Sequence, residues 1–315
     1  MALTLAQAAV LSNDQLSRSV MEVFVQESAV LDRLPLMNIE GNSYAYDMEA
    51  TLPGVAFRGV NEAYVESTGT FSQATEKLVI LGGDADVDRF IQKTRSNLHD
   101  QLAMQIRAKV KATSYKFQDT FINGSVAVDA KSFDGLKTRL TGAQVITAGT
   151  NGIPVIGNGG TDVHAFLDTL DTLFGAVAGG PDVAYTNRAI QSKIIAAGRR
   201  VGGTSIVETD INGKRQPVWN GVPIVDIGNT AAGAPIIPQT ETQGSSSVAG
   251  SIYAVKFGQD DTDQAVTGLT NGGVDAYEVG ELQEKPAYRA RIEFYCGLAV
   301  FGGRAAARLQ GVLAS

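Results

Sequence analysis

Between Val87 and Phe117 neither glycine nor proline occurs, and Val87, Phe90, Ile91, Thr94, Leu98, Leu102, Ile106 and Val110 recur at three- and four-residue steps. That spacing draws one apolar stripe down an α-helix. At 1.5 Å per residue the stretch predicts a helix roughly 45 Å long, a spine for a chain of this size. Asp84, Asp86 and Asp88 stand at its start and lysines crowd its end, as the helix dipole favours. From Arg89 to Lys116 the chain is basic: Arg89, Lys93, Arg95, Arg107, Lys109, Lys111 and Lys116 face only Asp100. Two readings stay open, a solvated helix face or a surface complementary to an anionic neighbour, protein or nucleic acid.

The segment before this helix follows another period. Tyr44, Tyr46 and Met48 alternate with Ala45, Asp47 and Glu49, which is a strand pattern. Leu52-Pro53-Gly54 interrupts it, Gly59 to Asn61 reads as a turn, and Leu78-Val79-Ile80 leads back. The outcome is a long hairpin with few aliphatic residues in its outer half. A lone hairpin is marginal in water, so this one must lie on its own body or on another subunit. Residues 1–34 are helical in patches, with Leu16, Val20, Val23 and Phe24 at helical spacing, Asn13 or Asp14 as cap, and Pro35 as stop.

Beyond the spine come a glycine-rich, β-leaning stretch to about residue 160, a helix over 163–177, and a shorter one over 188–199. Strands are expected at 205–208, 217–227, 251–257 and 288–300, with exposed loops at Gly244-Ser245-Ser246-Ser247 and Asn271-Gly272-Gly273. The class is α+β. The net charge of −7 argues against general affinity for nucleic acid or anionic membranes. No run approaches the ~20 apolar residues of a membrane span, and the N-terminus lacks the basic region of a signal peptide, so a soluble chain is expected. Cys296 is the single cysteine, which rules out an intrachain disulfide and suits a reducing site of synthesis.

A search for catalytic chemistry returns little. His99 and His164 are the two histidines, and neither belongs to a metal-binding spacing. Gly213-Lys214 is followed by Arg215, which breaks a phosphate-binding loop, and after Gly157-Asn158-Gly159-Gly160 a dinucleotide loop fails at Asp162. Asp84, Asp86 and Asp88 have the spacing of a calcium loop, but Arg89 and Arg95 stand where its glycine and glutamate belong. They are read as helix-terminal charge. Gln259-Asp260-Asp261-Thr262-Asp263 is read as a solvated acidic loop. No catalytic residue, metal or cofactor is assigned.

Leu34-Pro35, Ile39-Glu40-Gly41-Asn42-Ser43-Tyr44, Thr51 to Arg58, Val60-Asn61-Glu62 and Leu81 to Asp88 resemble a family of tailed-bacteriophage major capsid proteins with the Hong Kong 97-type fold. The order of elements agrees over essentially the whole chain. The resemblance implies an N-terminal arm at 1–40 and an extended loop, the hairpin, at 41–80. It implies a peripheral domain from 81–164 and 276–301, with a spine helix at 85–118 carrying Val87, Phe90, Ile91, Leu98, Leu102 and Ile106. It also implies an axial domain from 165–275 and 302–315. Arg289 to Phe301 resembles the long peripheral strand, and Ala305 to Val312 the final axial strand.

The implied function is structural: self-assembly through pentamers and hexamers into the icosahedral head around double-stranded DNA, with no enzymatic activity. Tyr44, Tyr46, Phe57, Arg58 and Tyr64 are the candidate inter-subunit residues, each aromatic weighed against packing within its own subunit. Arg58 is favoured, since a guanidinium pairs bidentately with a carboxylate. Some relatives crosslink through a loop lysine, whereas residues 41–76 contain none, so no crosslink is expected. The chain starts directly at its arm, so the expectation is no fused scaffolding region and no cleaved propeptide. Implied partners are other copies of the chain, a separate scaffolding protein, a portal protein at one vertex, a cement protein, and packaged DNA held without sequence preference; no membrane is implied. Assembly in the bacterial host cytoplasm and residence in the virion follow. The rivals are an encapsulin shell, a hydrolase using His99 or His164, and a tail-tube protein.

Overall fold

A computed structural model of the protein describes Phe24 and residues 28–95, 101–157, 160–201, 207–209 and 215–315. The strands form two sheets and a separate hairpin. In the smaller sheet β1 (Leu36–Asn38) runs parallel to β13 (Val266–Glu281), which pairs with β14 (Ala287–Val300), which pairs with β4 (Val79–Asp88) at the edge. β2 (Ser43–Thr51) and β3 (Thr70–Lys77) make the hairpin. The larger, nine-stranded sheet is built around β15 (Ala306–Leu313) and β12 (Ser246–Val255). β5 (Val145–Thr147) and β6 (Ile153–Pro154) join β15, and β11 (Glu241–Gln243) joins β12. On the other side follow β7 (Val183–Thr186), β10 (Val222–Asp226), β9 (Arg215–Trp219) and β8 (Val207–Thr209).

Helix α1 (Arg89–Arg95) leads to the long α2 (Gln101–Asn123), then to a single turn, α3 (Leu136–Arg139). α4 (Gly160–Ala176) and α5 (Arg188–Val201) pack on the larger sheet. α2 lies on the smaller sheet through Ile106, Val110 and Phe117, with the Phe117 and Phe294 ring centroids 5.6 Å apart. Phe24 reaches the same place, its ring edge-on to Phe294 at 5.3 Å. Close approach of β4 to β14 requires Gly82, because a Cβ there would stand 2.1 Å from the Ile292 carbonyl oxygen. In the larger unit Phe166, Leu170 and Leu173 of α4 and Ile190 and Ile194 of α5 cover Ala184, Ile224, Ile252 and Leu309. The two buried clusters together remove most large aliphatic residues from water, the dominant favourable term in folding.

Helix is described over 89–95 and again over 101–123, with residues 96–100 outside the described residues. α2 runs past the expected end at Phe117 to Asn123, with Phe121 and Ile122 buried. Val87 belongs to β4, not to the helix, and is buried there with Ala85 in a period-two pattern. Three- and four-residue spacing shares enough positions with strand alternation that Val87 fits both templates. What decides is the partner strand: Asp84 and Asp86 pair across to Arg291 and Arg289, so they are strand residues rather than helix-terminal charges. Asp88 does cap α1, accepting from the Phe90 N–H at 2.7 Å. Phe90 and Ile91 lie on α1 but are 74% and 43% exposed. Leu98 and His99, and residues 1–23 and 25–27 of the stretch expected to be helical in patches, lie outside the described residues, while residues 29–33 form turns.

The expected division of the chain also shifts. Residues 145–154, assigned with the spine, supply β5 and β6 to the larger sheet. Residues 266–275, assigned to the other unit, are the first half of β13 in the smaller sheet, and β1 draws part of the arm into that sheet too. Asn271-Gly272-Gly273 is a bulge within β13, where the register shifts between Thr270 and Val274, and both glycines have φ near +80°. Gly244 turns at the end of β11, while Ser246 and Ser247 already belong to β12.

Candidate assembly surface

The hairpin leaves the body at Ser43 and returns at Lys77. Strand alternation places Tyr44 and Tyr46 on one face, opposite Glu76 and Ala74 of β3, and this is the face turned to the body. The Tyr46 ring meets Phe301 edge-on at 4.8 Å, Tyr44 meets it at 6.0 Å, and Ile39, Leu269 and Ala299 complete a small core of their own. The Tyr46 hydroxyl donates to the Val300 carbonyl at 3.3 Å and lies 3.5 Å from a Glu76 oxygen. Burial first, and then the Glu76 carboxylate, push that hydroxyl up to about 12. The Tyr44 hydroxyl donates to Asp261 at 3.1 Å. Tyr46 is 6% exposed, so it anchors the hairpin to its own chain and leaves the set of candidate inter-subunit residues. Tyr44 is half-buried in the same anchor.

Below the same face, Arg139 of α3 grips Glu76 with two bonds, Nη1 to Oε1 at 2.5 Å and Nη2 to Oε2 at 2.6 Å. The side chains are 17% and 16% exposed. Burial works against the Arg139 charge, yet the bonds to Glu76 more than offset it and the guanidinium is held firmly protonated.

The tip, residues 52–69, carries neither strand nor core. Leu52, Val55, Phe57, Val60, Tyr64 and Val65 are all largely exposed. The tip is nevertheless shaped. The Gly54 N–H donates to Ser67 Oγ at 2.8 Å across its neck. Gly59 to Glu62 form a turn closed by the Glu62 N–H and the Gly59 carbonyl, with Asn61 at φ 68°, a conformation asparagine tolerates. Arg58 stacks over Tyr64, 5.1 Å from the ring centroid, and donates to the Gly59 and Glu62 carbonyls. Leu52, Val55, Phe57, Val60, Tyr64 and Val65 thus form an apolar tip with a defined shape and large exposure.

Two charged surfaces flank this region. On α2, Arg107, Lys111 and Lys116 are exposed. Across β4 and β14, Asp84 takes a two-pronged bond from Arg291 and Asp86 one from Arg289, while Lys285 reaches Asp86 at 2.6 Å and Arg89 reaches Glu281 at 3.0 Å. The Arg291 bond holds Asp84 below the usual carboxylate range, and the Arg289 and Lys285 bonds do the same to Asp86. Nothing in the sequence alone announced this ladder, because its partners are some two hundred residues apart.

Catalytic chemistry finds no footing among the described residues. His164 is exposed on α4, and Cys296 is buried with its thiol pushed up by desolvation, the opposite of an activated nucleophile. No three His, Cys, Asp or Glu side chains of the described residues are grouped to hold a metal ion. A cleft of about 570 Å³ beside the hairpin root is lined by Thr75, Lys77, Ile80, Val126 and Ser132 among others, with no nucleophile paired to a base.

Residues 12–165 match the family model described as major capsid protein GP7. Among solved structures, the encapsulin of the holo-SrpI complex from Synechococcus elongatus PCC 7942 is 18% identical, with 100% of this chain and 98% of that one covered and a TM-score of 0.66. The capsid of a native GTA particle is 15% identical over 91% and 90% of the two chains, with a TM-score of 0.60. A Mycobacterium phage Bobi structure is 13% identical over 90% and 89%, with a TM-score of 0.58. No curated protein matches the chain by sequence.

Proposed function

We infer, for a chain whose residues 12–165 match the major capsid protein GP7 family model and whose fold is of the Hong Kong 97 type, that it assembles through pentamers and hexamers into the icosahedral head around double-stranded DNA. The observation that carries this reading is the hairpin: anchored at its root, it projects a shaped apolar tip that none of the described residues covers. A second copy is the natural cover, since closed symmetric assemblies repeat one patch-to-patch contact. On this reading Phe57, Arg58 and Tyr64 meet a neighbour. The smaller sheet with α2 is the peripheral domain, and the larger sheet with α4 and α5 is the axial domain. The role is structural, with no reaction to catalyse.

A separate scaffolding protein, a portal at one vertex and a cement protein remain the partners to seek. The exposed lysines and arginines of α2 suit non-specific contact with packaged DNA. Assembly would take place in the host cytoplasm and end in the virion. Val55→Asp with Phe57→Asp tests the contact: the subunit should keep its melting temperature and lose the ability to form particles. Particles formed as well as by the parent chain would remove the hairpin tip from the account.

The encapsulin reading has one observation in its favour, namely coverage of both chains almost end to end. The contents of purified particles separate the two. Nuclease-protected double-stranded DNA supports the phage head, and a co-purified protein cargo supports the compartment.

A further inference from the structure

The hairpin is joined to the body over a short base. Tyr44 with Glu76, and Tyr46 with Ala74, are its docked cross-strand pairs, and they span about 7 Å along the strands. Phe57 lies eleven residues past Tyr46, up to about 35 Å away along an extended chain. The arm is therefore a lever, and a slip of about 1 Å at the root moves the tip by about 5 Å.

Three kinds of contact hold that root: ring packing, the single hydrogen bonds of the Tyr44 hydroxyl to Asp261 and the Tyr46 hydroxyl to the Val300 carbonyl, and one two-pronged ion pair. The rings of Tyr44 and Tyr46 against Phe301 give area but little direction, because apolar surfaces slide. The Glu76–Arg139 pair is the most directional, since each carboxylate oxygen accepts from a terminal guanidinium nitrogen of its own. Arg139 is itself fixed. Its Nε donates to the Asp134 carbonyl at 2.7 Å, and Leu136, one turn earlier on α3, is fully buried. α3 is tied to the end of α2, with the Thr138 hydroxyl donating to the Gly124 carbonyl at 2.8 Å and the Gly135 N–H donating to it at 2.9 Å. At Gly124 a Cβ would stand 2.4 Å from the Phe133 carbonyl oxygen, so this junction has no slack.

We propose that the Glu76–Arg139 ion pair is the latch that sets the angle of the hairpin against the end of α2, and through it where the tip lands on a second copy. The second clause rests on the shell-forming reading; the first does not. Glu76 and Arg139 are positioning residues, acting through the hairpin rather than touching the neighbour.

The test measures the angle in the unassembled full-length chain. Spin labels go on Val60→Cys at the tip and Asp168→Cys on α4, both exposed, while Cys296 is fully buried and escapes labelling. The tip-to-body distance distribution should be single and narrow in the parent. Arg139→Ala should broaden it by about 5 Å at an unchanged fold by circular dichroism. Glu76→Gln should act in the same direction, and the reversed pair Glu76→Arg with Arg139→Glu should narrow it again. An unaltered width in Arg139→Ala, a parent distribution already broad, or a reversed pair as broad as Arg139→Ala would each overturn the latch. Particle diameters of the same variants then test the second clause. Uniform parent particles and heterogeneous Arg139→Ala particles support it, and uniform particles from both overturn it. A parent that forms no particles would count against the shell reading while leaving the distance result intact.

Discussion

Single residues report the balance between burial and charge most directly. Cys296 sits in β14 with no exposed surface, and desolvation pushes its thiol up. It should therefore resist a disulfide-exchange reagent in the native chain and react stoichiometrically once the chain is unfolded in urea. Reaction in the native state at the rate of a free thiol would contradict the burial. Asp84 and Asp86 make the complementary case. Both are depressed in the folded chain, so their contribution is complete above the unfolded carboxylate range near 4 and is lost as pH falls from there through the lower folded values. Thermal melts of the parent should lose this contribution between about pH 4 and pH 2. Asp84→Asn with Asp86→Asn should melt lower at pH 7 and with a shallower dependence on pH. Equal slopes would remove the ladder from the stability of the smaller sheet.

Among the elements, α2 and the hairpin should answer mutation in opposite ways. Phe121→Ala empties a fully buried site on α2 and should cost the unassembled subunit about 3–5 kcal/mol in urea titration. Phe57→Ala removes a ring that touches only water in the free subunit and should stay within about 0.5 kcal/mol there. The same contrast explains what was legible in the sequence. The hairpin could be read because Tyr44, Tyr46 and Met48 alternate cleanly and Leu52-Pro53-Gly54 stops them. The helices over 160–176 and 188–201 and the strand Ala287–Val300 came through for the same reason. The start of the spine did not, because Val87 satisfies two periods and only the pairing of β4 with β14 decides between them. Asn271-Gly272-Gly273 looked like a loop because a bulge uses loop residues to bend a strand. The anchoring role of Tyr46 depends on Phe301, more than two hundred residues away, and no local pattern encodes such a contact.

At the scale of the whole molecule, two packed units carry one appendage whose outer half is exposed among the described residues. On the proposed reading the sheets supply stability and the hairpin tip supplies association. The resemblance in the first half of the sequence pointed to a shell, the family match over residues 12–165 supports it, and the likeness of fold to capsid and encapsulin structures covers nearly the entire chain. The measurement that tests this most directly is light scattering with negative-stain microscopy on the full-length chain, alone and with a candidate scaffolding protein. The account predicts rings of five or six copies, or closed polyhedral particles. A stable monomer under both conditions, with no rings at high concentration, would contradict it.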